Sequence, residues 1–237
     1  MKNLLRATLV LVNDNAGGDV TPAVLSQIAA AIQKQIEHHY SSFWGNEGVL
    51  VTSGPAPQEP QESLAEGARI PVYIRAASDV AGAAGYHDDE GIYVFRDGLP
   101  TLTSGAFSLS VVVSHEILET LGDPGANRWA DQGNGDELAI EMCDAVEGFF
   151  YEIDSVAVSD FLLPSFFDPD GEAPYSYLNK PTAPFVTPPD AGQNYQIVRS
   201  VDENGETQVT AKGVHSSRLL AKRSPLSRTA RRGARAE

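Results

Sequence analysis

Apolar residues recur along the chain with two periods. The runs ATLVLV (7–12), GVLVT (48–52), IPVYIRA (70–76) and GIYVFRD (91–97) are short, aliphatic and β-branched, and predict strands. Between the first two, VTPAVLSQIAAAIQKQIEHHY (20–40) carries Leu25, Ile28, Ala29, Ile32 and Ile36 at helical spacing and predicts one long amphipathic helix. Thr21 can accept a hydrogen bond from a free N–H of its first turn, and Pro22 suits the first helical position, where no N–H is needed. A second helix is predicted over about 105–121. Its apolar residues Leu109, Val111, Val112, Val113, Ile117, Leu118 and Leu121 cover most of its circumference, which predicts a central place in the fold. Gly122 is a candidate left-handed cap for its C-terminus, and Pro124 cannot continue it.

The segments between these elements read as connections. SGPAPQEPQESLAEGA (53–68) is a Pro/Glu-rich loop, and AGAAGYHDDE (81–90) separates the last two strands. Past Trp129 the prolines of LPSFFDPD and TAPFVTPPDAG predict coil. In NYQIVRSVDENGETQVTA (194–211) two alternating runs flank Asn204-Gly205, a pair that supplies the positive φ angles of a tight hairpin. The fold class is therefore α/β in the broad sense (α+β): a twisted mixed sheet, a long N-terminal helix, a central second helix, and a loop-rich C-terminal part ending in a hairpin. Residues 1–212 form one domain, with a sheet-and-helix half over 1–122 and a loop-rich half over 123–212.

Charge separates the remainder. The chain of 237 residues has a formal net charge of −15. From Lys212 onward it holds eight Lys/Arg and one acid, so the preceding body contains nine bases and 31 acids. Such a body repels nucleic acid and attracts cations. The tail, 213–237, lacks a core-forming pattern and is expected to be disordered when alone. Nucleic acid contact is expected only through this tail, which could also dock on a protein assembly partner. The single cysteine, Cys143, excludes an internal disulfide. No apolar run is long enough to span a bilayer, and MKNLLRATLVLVNDN reads as a first strand rather than a signal peptide. A cytoplasmic or virion-associated location follows as the expectation.

The second helix contains a conflict. In VVVSHEILETLGDPGANRW (111–129), His115, Glu116 and Glu119 interrupt a run built for burial. Unpaired buried charge is expensive, and a metal ion is one way to compensate it. Residues four apart share a helical face, so His115 and Glu119 can reach one ion. An imidazole nitrogen and a carboxylate oxygen suit zinc. Glu116 flanks that point, where it could take a proton from a water whose pKa the metal has lowered. A carboxylate-rich ligand set also suits calcium or manganese.

HEILETLG (115–122) is similar to the metzincin pattern HExxHxxG, with Glu119 in place of the second histidine and Gly125 where the third ligand would fall. The stretch from His115 to Asp168 resembles a family of uncharacterised bacterial and phage proteins that share an HE helix, a Glu-x-Cys-Asp segment and a Phe-Asp-Pro ending. FWG (43–45) and AGAAGYHD (81–88) extend that likeness over about residues 5–210. A more distant likeness is to plant EXORDIUM-like phosphate-induced proteins. The resemblance implies a zincin-like fold, and it matches Glu141 and Asp144 to the acids around the cysteine.

For the third ligand Glu141 is favoured, with Glu137 and Asp144 as competitors, or with one of these accepting the other N–H of His115. Cys143 could ligate but reads more simply as a small buried hydrophobe. Asp123, two turns beyond His115, is either a turn device or a contact to the site. His87 is a candidate for the cleft beside strand 91–97, while His38 and His39 read as structural at a helix end. Two functions follow as expectations: a metal-dependent hydrolase acting on a peptide or protein, with Glu116 as general base, or an inactive scaffold that serves in assembly. Ending the chain at Lys212 should leave the thermal unfolding midpoint unchanged; a large drop would show that the tail belongs to the core.

Overall fold

A computed structural model describes residues 7–58, 66–79, 83–88, 91–189, 194–200 and 206–210. The basic tail and the Asn204-Gly205 turn lie outside the described residues. β1 (Thr8–Asn13) is an interior strand of the first sheet, and Leu9, Val10, Leu11 and Val12 are all buried, as a strand covered on both faces requires. β2 (Leu50–Ser53) and β3 (Arg69–Arg75) flank it in parallel, and β5 (Gly91–Phe95) adds in parallel to β3. β4 (Gly85–Asp88) pairs antiparallel with β5 and closes the order β2-β1-β3-β5-β4. The mixed sheet is as expected, but β4 was hidden in the segment read as a connection. Strand 91–97 is consequently not an edge; β4 is.

The first helix starts where the sequence predicts. Thr21 accepts from the Val24 N–H at 3.3 Å, and α1 (Pro22–Gln35) buries Leu25, Ile28, Ala29 and Ile32. Instead of one long helix over 20–40, α1 passes into a π-helical stretch, Ile36–Tyr40, and then α2 (Ser41–Trp44). His38 and His39 lie in that π stretch rather than at a helix end. His39 stacks on Tyr177, centroids 4.7 Å apart, and its Nδ1 is 3.0 Å from the Tyr151 hydroxyl. α3 (Leu109–Gly122) begins four residues later than predicted, because Ser108 is its cap and accepts from the Val111 N–H.

Gly122 is not a left-handed cap. It is the last residue of α3, and a Cβ there would sit 1.7 Å from Met142 Cε, so a larger residue would displace the end of the Met142 side chain.

The half read as loop-rich holds more strands than expected. β6 (Trp129–Asp131), β7 (Asp136–Ala139), β10 (Tyr195–Ser200) and β11 (Glu206–Thr210) form a four-stranded sheet in the order β11-β10-β7-β6. β10 and β11 are the antiparallel pair expected there. β8 (Phe150–Ile153) and β9 (Val156–Ser159) form a separate hairpin, and β9 packs on α1 and α3. One apolar core runs through both halves, from Leu9 and Ile32 to Val113, Met142, Val158 and Phe166. Among the described residues no helix is long and apolar enough to cross a membrane.

A single buried carboxylate organises the coil after β9. Asp160 accepts from the Phe161 N–H at 2.8 Å, the Leu178 N–H at 3.0 Å and the Ser176 hydroxyl at 2.9 Å. Asp160→Ala strands three donors, two of them buried, and should lower stability by about 3 kcal/mol in urea unfolding. Burial pushes the Asp160 carboxyl up to about 6 against the pull of those donors. A folded pKa above the ordinary 3.8 contributes stability that is complete below that value and lost as pH rises through about 6. Asp160→Asn should therefore flatten the stability–pH curve across that window, and an unchanged slope would contradict it.

Candidate metal centre

α3 is held by polar contacts that leave its ionisable residues to one another. Ser110 donates to the Ala157 carbonyl at 2.6 Å, and Ser114 accepts from the Ser159 N–H at 2.7 Å, which ties the helix to β9. Thr120 donates back to the Glu116 carbonyl at 2.7 Å. The Tyr40 hydroxyl reaches the Leu118 carbonyl and Met142 Sδ at 3.3 and 3.1 Å. The Leu162 N–H donates to the Met142 carbonyl at 2.6 Å, fixing the segment that carries Glu141, Cys143 and Asp144.

Three segments converge on the helix. His115 Nε2 lies 3.2 Å from Glu119 Oε1, the i, i+4 pair expected, and 3.3 Å from Asp144 Oδ1. The Cys143 N–H donates to Glu119 Oε1 at 3.3 Å. From β4, His87 Nδ1 lies 3.4 Å from Glu116 Oε2. Gly85, two residues earlier on the same strand face, makes room for the same carboxylate: a Cβ there would be 2.8 Å from Glu116 Oε1.

All these groups are withdrawn from water. Relative exposure is 5% for His87, 7% for His115, 4% for Glu116, 1% for Glu119, 5% for Glu141 and 1% for Asp144. Four carboxylates and two imidazoles share the space, so even with both imidazoles protonated the ionised set has excess negative charge. Burial raises the Glu119 carboxyl; the His115 charge opposes this, Asp144 and Glu141 add to it, and the group stands at about 7. Burial pulls His115 down, but the Glu119 charge and hydrogen bonds to Asp144 and Glu119 more than offset it and hold the imidazole well above its ordinary value. His87 is likewise raised, burial being outweighed by Glu116, Glu141 and Glu119. Burial also drives the Cys143 thiol well up.

The expected residues divide accordingly. His115, Glu116, Glu119, Asp144 and His87 meet in the cluster, and the carboxylate standing beside His115 is Asp144. The Glu141 charge acts on both His87 and Glu119. Cys143, expected as a small buried hydrophobe with ligation left open, is buried in the core and brings its sulfur within 4.8 Å of donor atoms of His115 and Glu119. Glu137 is elsewhere: on β7 it pairs with Arg199, whose guanidinium lies 4.1 Å from the Trp129 ring centroid. Asp123 serves the helix end, where its Oδ2 accepts from the Arg128 N–H at 2.8 Å. Sequence reasoning missed Gly85, Ser110 and Ser114. The alternation Gly85-Tyr86-His87 was the available signal, with Tyr86 on the opposite face against Tyr93 and Phe95.

No family model matches the chain, and no curated protein or solved structure matches it.

The excess negative charge yields a stability test. In metal-free protein at pH 8, Glu119→Gln should raise stability by roughly 1–2 kcal/mol, since the amide keeps an acceptor for the Cys143 N–H and removes a like charge. Urea unfolding in the presence of a chelator measures it. A clear loss of stability would show that the carboxylate is already compensated within the protein.

Proposed function

We propose that the chain is a metal-dependent hydrolase of zincin-like fold, a zinc peptidase in which Glu116 is the general base. The observation that carries this reading is the buried set of His115, Glu119 and Cys143, with donor atoms within 4.8 Å of one another, Asp144 3.3 Å from His115, and Glu116 at its side beneath an edge strand. Two ligands 2.1 Å from one ion at a tetrahedral angle stand about 3.4 Å apart. The 3.2 and 3.3 Å contacts of His115 fit that spacing better than the 2.7–2.9 Å of a tight charge-assisted bond. Imidazole, carboxylate and the nearby Cys143 thiol suit Zn²⁺, and Ca²⁺ or Mn²⁺ is the alternative for a set richer in oxygen.

A bound cation would supply Lewis acidity, polarising a carbonyl and bringing the pKa of water down to about 7. The residues of the chain do the rest. Glu116 takes the proton of the attacking water and delivers it to the departing amine. His87, within reach of Glu116 Oε2, orients that carboxylate from β4. A peptide substrate adds to the sheet edge at β4 through main-chain hydrogen bonds. This reading groups the chain with zincin-like HExxE proteins of bacteria or phages, acting in the cytoplasm or on a virion.

A second reading is favoured by the depth of the cluster. With Glu119 and Asp144 each 1% exposed, the centre also suits an inactive scaffold whose metal stabilises the fold and whose basic tail docks on an assembly partner. Glu116→Gln separates the two. For a hydrolase it keeps the ion held by His115 and Glu119, and the unfolding midpoint that this ion supports, but lowers kcat by about 10²–10⁴. Glu119→Gln instead loses the metal and, in the loaded protein, the midpoint that binding supports. A wild-type protein that binds metal yet cleaves nothing in a broad peptide library leaves the scaffold reading. Loss of metal in Glu116→Gln with retention in Glu119→Gln contradicts the assigned roles.

A further inference from the structure

Glu119 belongs to two potential ligand sets. With His115 and Cys143 it forms one in which a donor atom of each residue lies within 4.8 Å of the others; with His87 and Glu116 it forms a second by the same measure, and all five residues are buried. The imidazoles come from different elements, β4 and α3, and fall in different sets. Two ligands of one ion, each about 2.1 Å from it, cannot be more than about 4.2 Å apart, so each set is close to what a single ion can hold.

The second set repeats the spacing of the first. His87 Nδ1 and Glu116 Oε2 are 3.4 Å apart, longer than a tight charge-assisted bond and equal to the roughly 3.4 Å edge of a tetrahedral ligand pair. Charge points the same way. Glu116, Glu119, Glu141 and Asp144 together bring four negative charges when ionised, and one divalent ion beside neutral imidazoles balances half of them. Two divalent ions balance all four. A carboxylate has two oxygens, and Glu119 lies where the sets meet.

We propose that the cluster is a two-cation centre bridged by Glu119, with a second subsite formed by His87, Glu116 and Glu119. The inference rests on the cation reading above but not on turnover. In the doubly loaded state Glu116 is a ligand, so hydrolysis by the route proposed above belongs to the singly loaded state.

The test is metal stoichiometry of the full-length chain, dialysed against Zn²⁺ and read by elemental analysis, with circular dichroism to establish that each variant is folded. Wild type should hold two ions. His87→Ala and the milder His87→Gln should each hold one, and His115→Ala should lose the other. Glu119→Gln should weaken both by tenfold or more. One ion in wild type, lost in His115→Ala and retained in His87→Ala, overturns the second subsite and leaves the mononuclear hydrolase standing. A second ion that survives both His87 variants sits elsewhere on the acidic surface and also overturns it. No bound ion at all removes both proposals.

Discussion

The fold is governed by the burial of like charge around Glu119. That carboxylate is 1% exposed, and the strongest charge effects on it come from His115, Asp144 and Glu141. Withdrawing one ionised group from water costs several kcal/mol, and a domain of this size has a net stability of only about 5–15 kcal/mol. Six such groups in one place are tolerable only if their charges are compensated. Imidazoles compensate part, and under the proposed function a cation would compensate the remainder.

Much of the surrounding structure reads as the means of enforcing that arrangement. Ser110 and Ser114 fix α3 to β9, so the helix cannot rotate its acids towards water. Gly122 lets Met142 pass close to the end of the helix, and the Met142 carbonyl is held by Leu162; the next two residues are Cys143 and Asp144. On the other side Gly85 lets β4 lie against Glu116. Gly85 and Gly122 thus both mark places where a side chain of another segment approaches the backbone closely.

What the sequence made legible was local. Four strands of the first sheet, the Thr21 cap, the buried helix and the His115–Glu119 pair all follow from periodicity and spacing within one element. What stayed hidden depends on contacts between distant segments. β4 is four residues long, begins on a glycine and runs into acidic residues, so its alternation was too short to stand out. β6 to β9 are three or four residues each and stable only through pairing and packing. Glu137 and Asp144 look alike as acids near the cysteine. Only the fold separates them, by putting one beside Arg199 and the other beside His115.

The most direct measurement of the central claim is the metal content of the full chain purified without added metal, followed by its unfolding midpoint before and after chelation. At least one divalent ion per chain, absent from His115→Ala, and a midpoint that falls on chelation are the predicted results. A metal-free protein whose midpoint is the same with Zn²⁺, Ca²⁺, Mn²⁺ or chelator would contradict the account, because the buried charge would then be compensated by the protein alone.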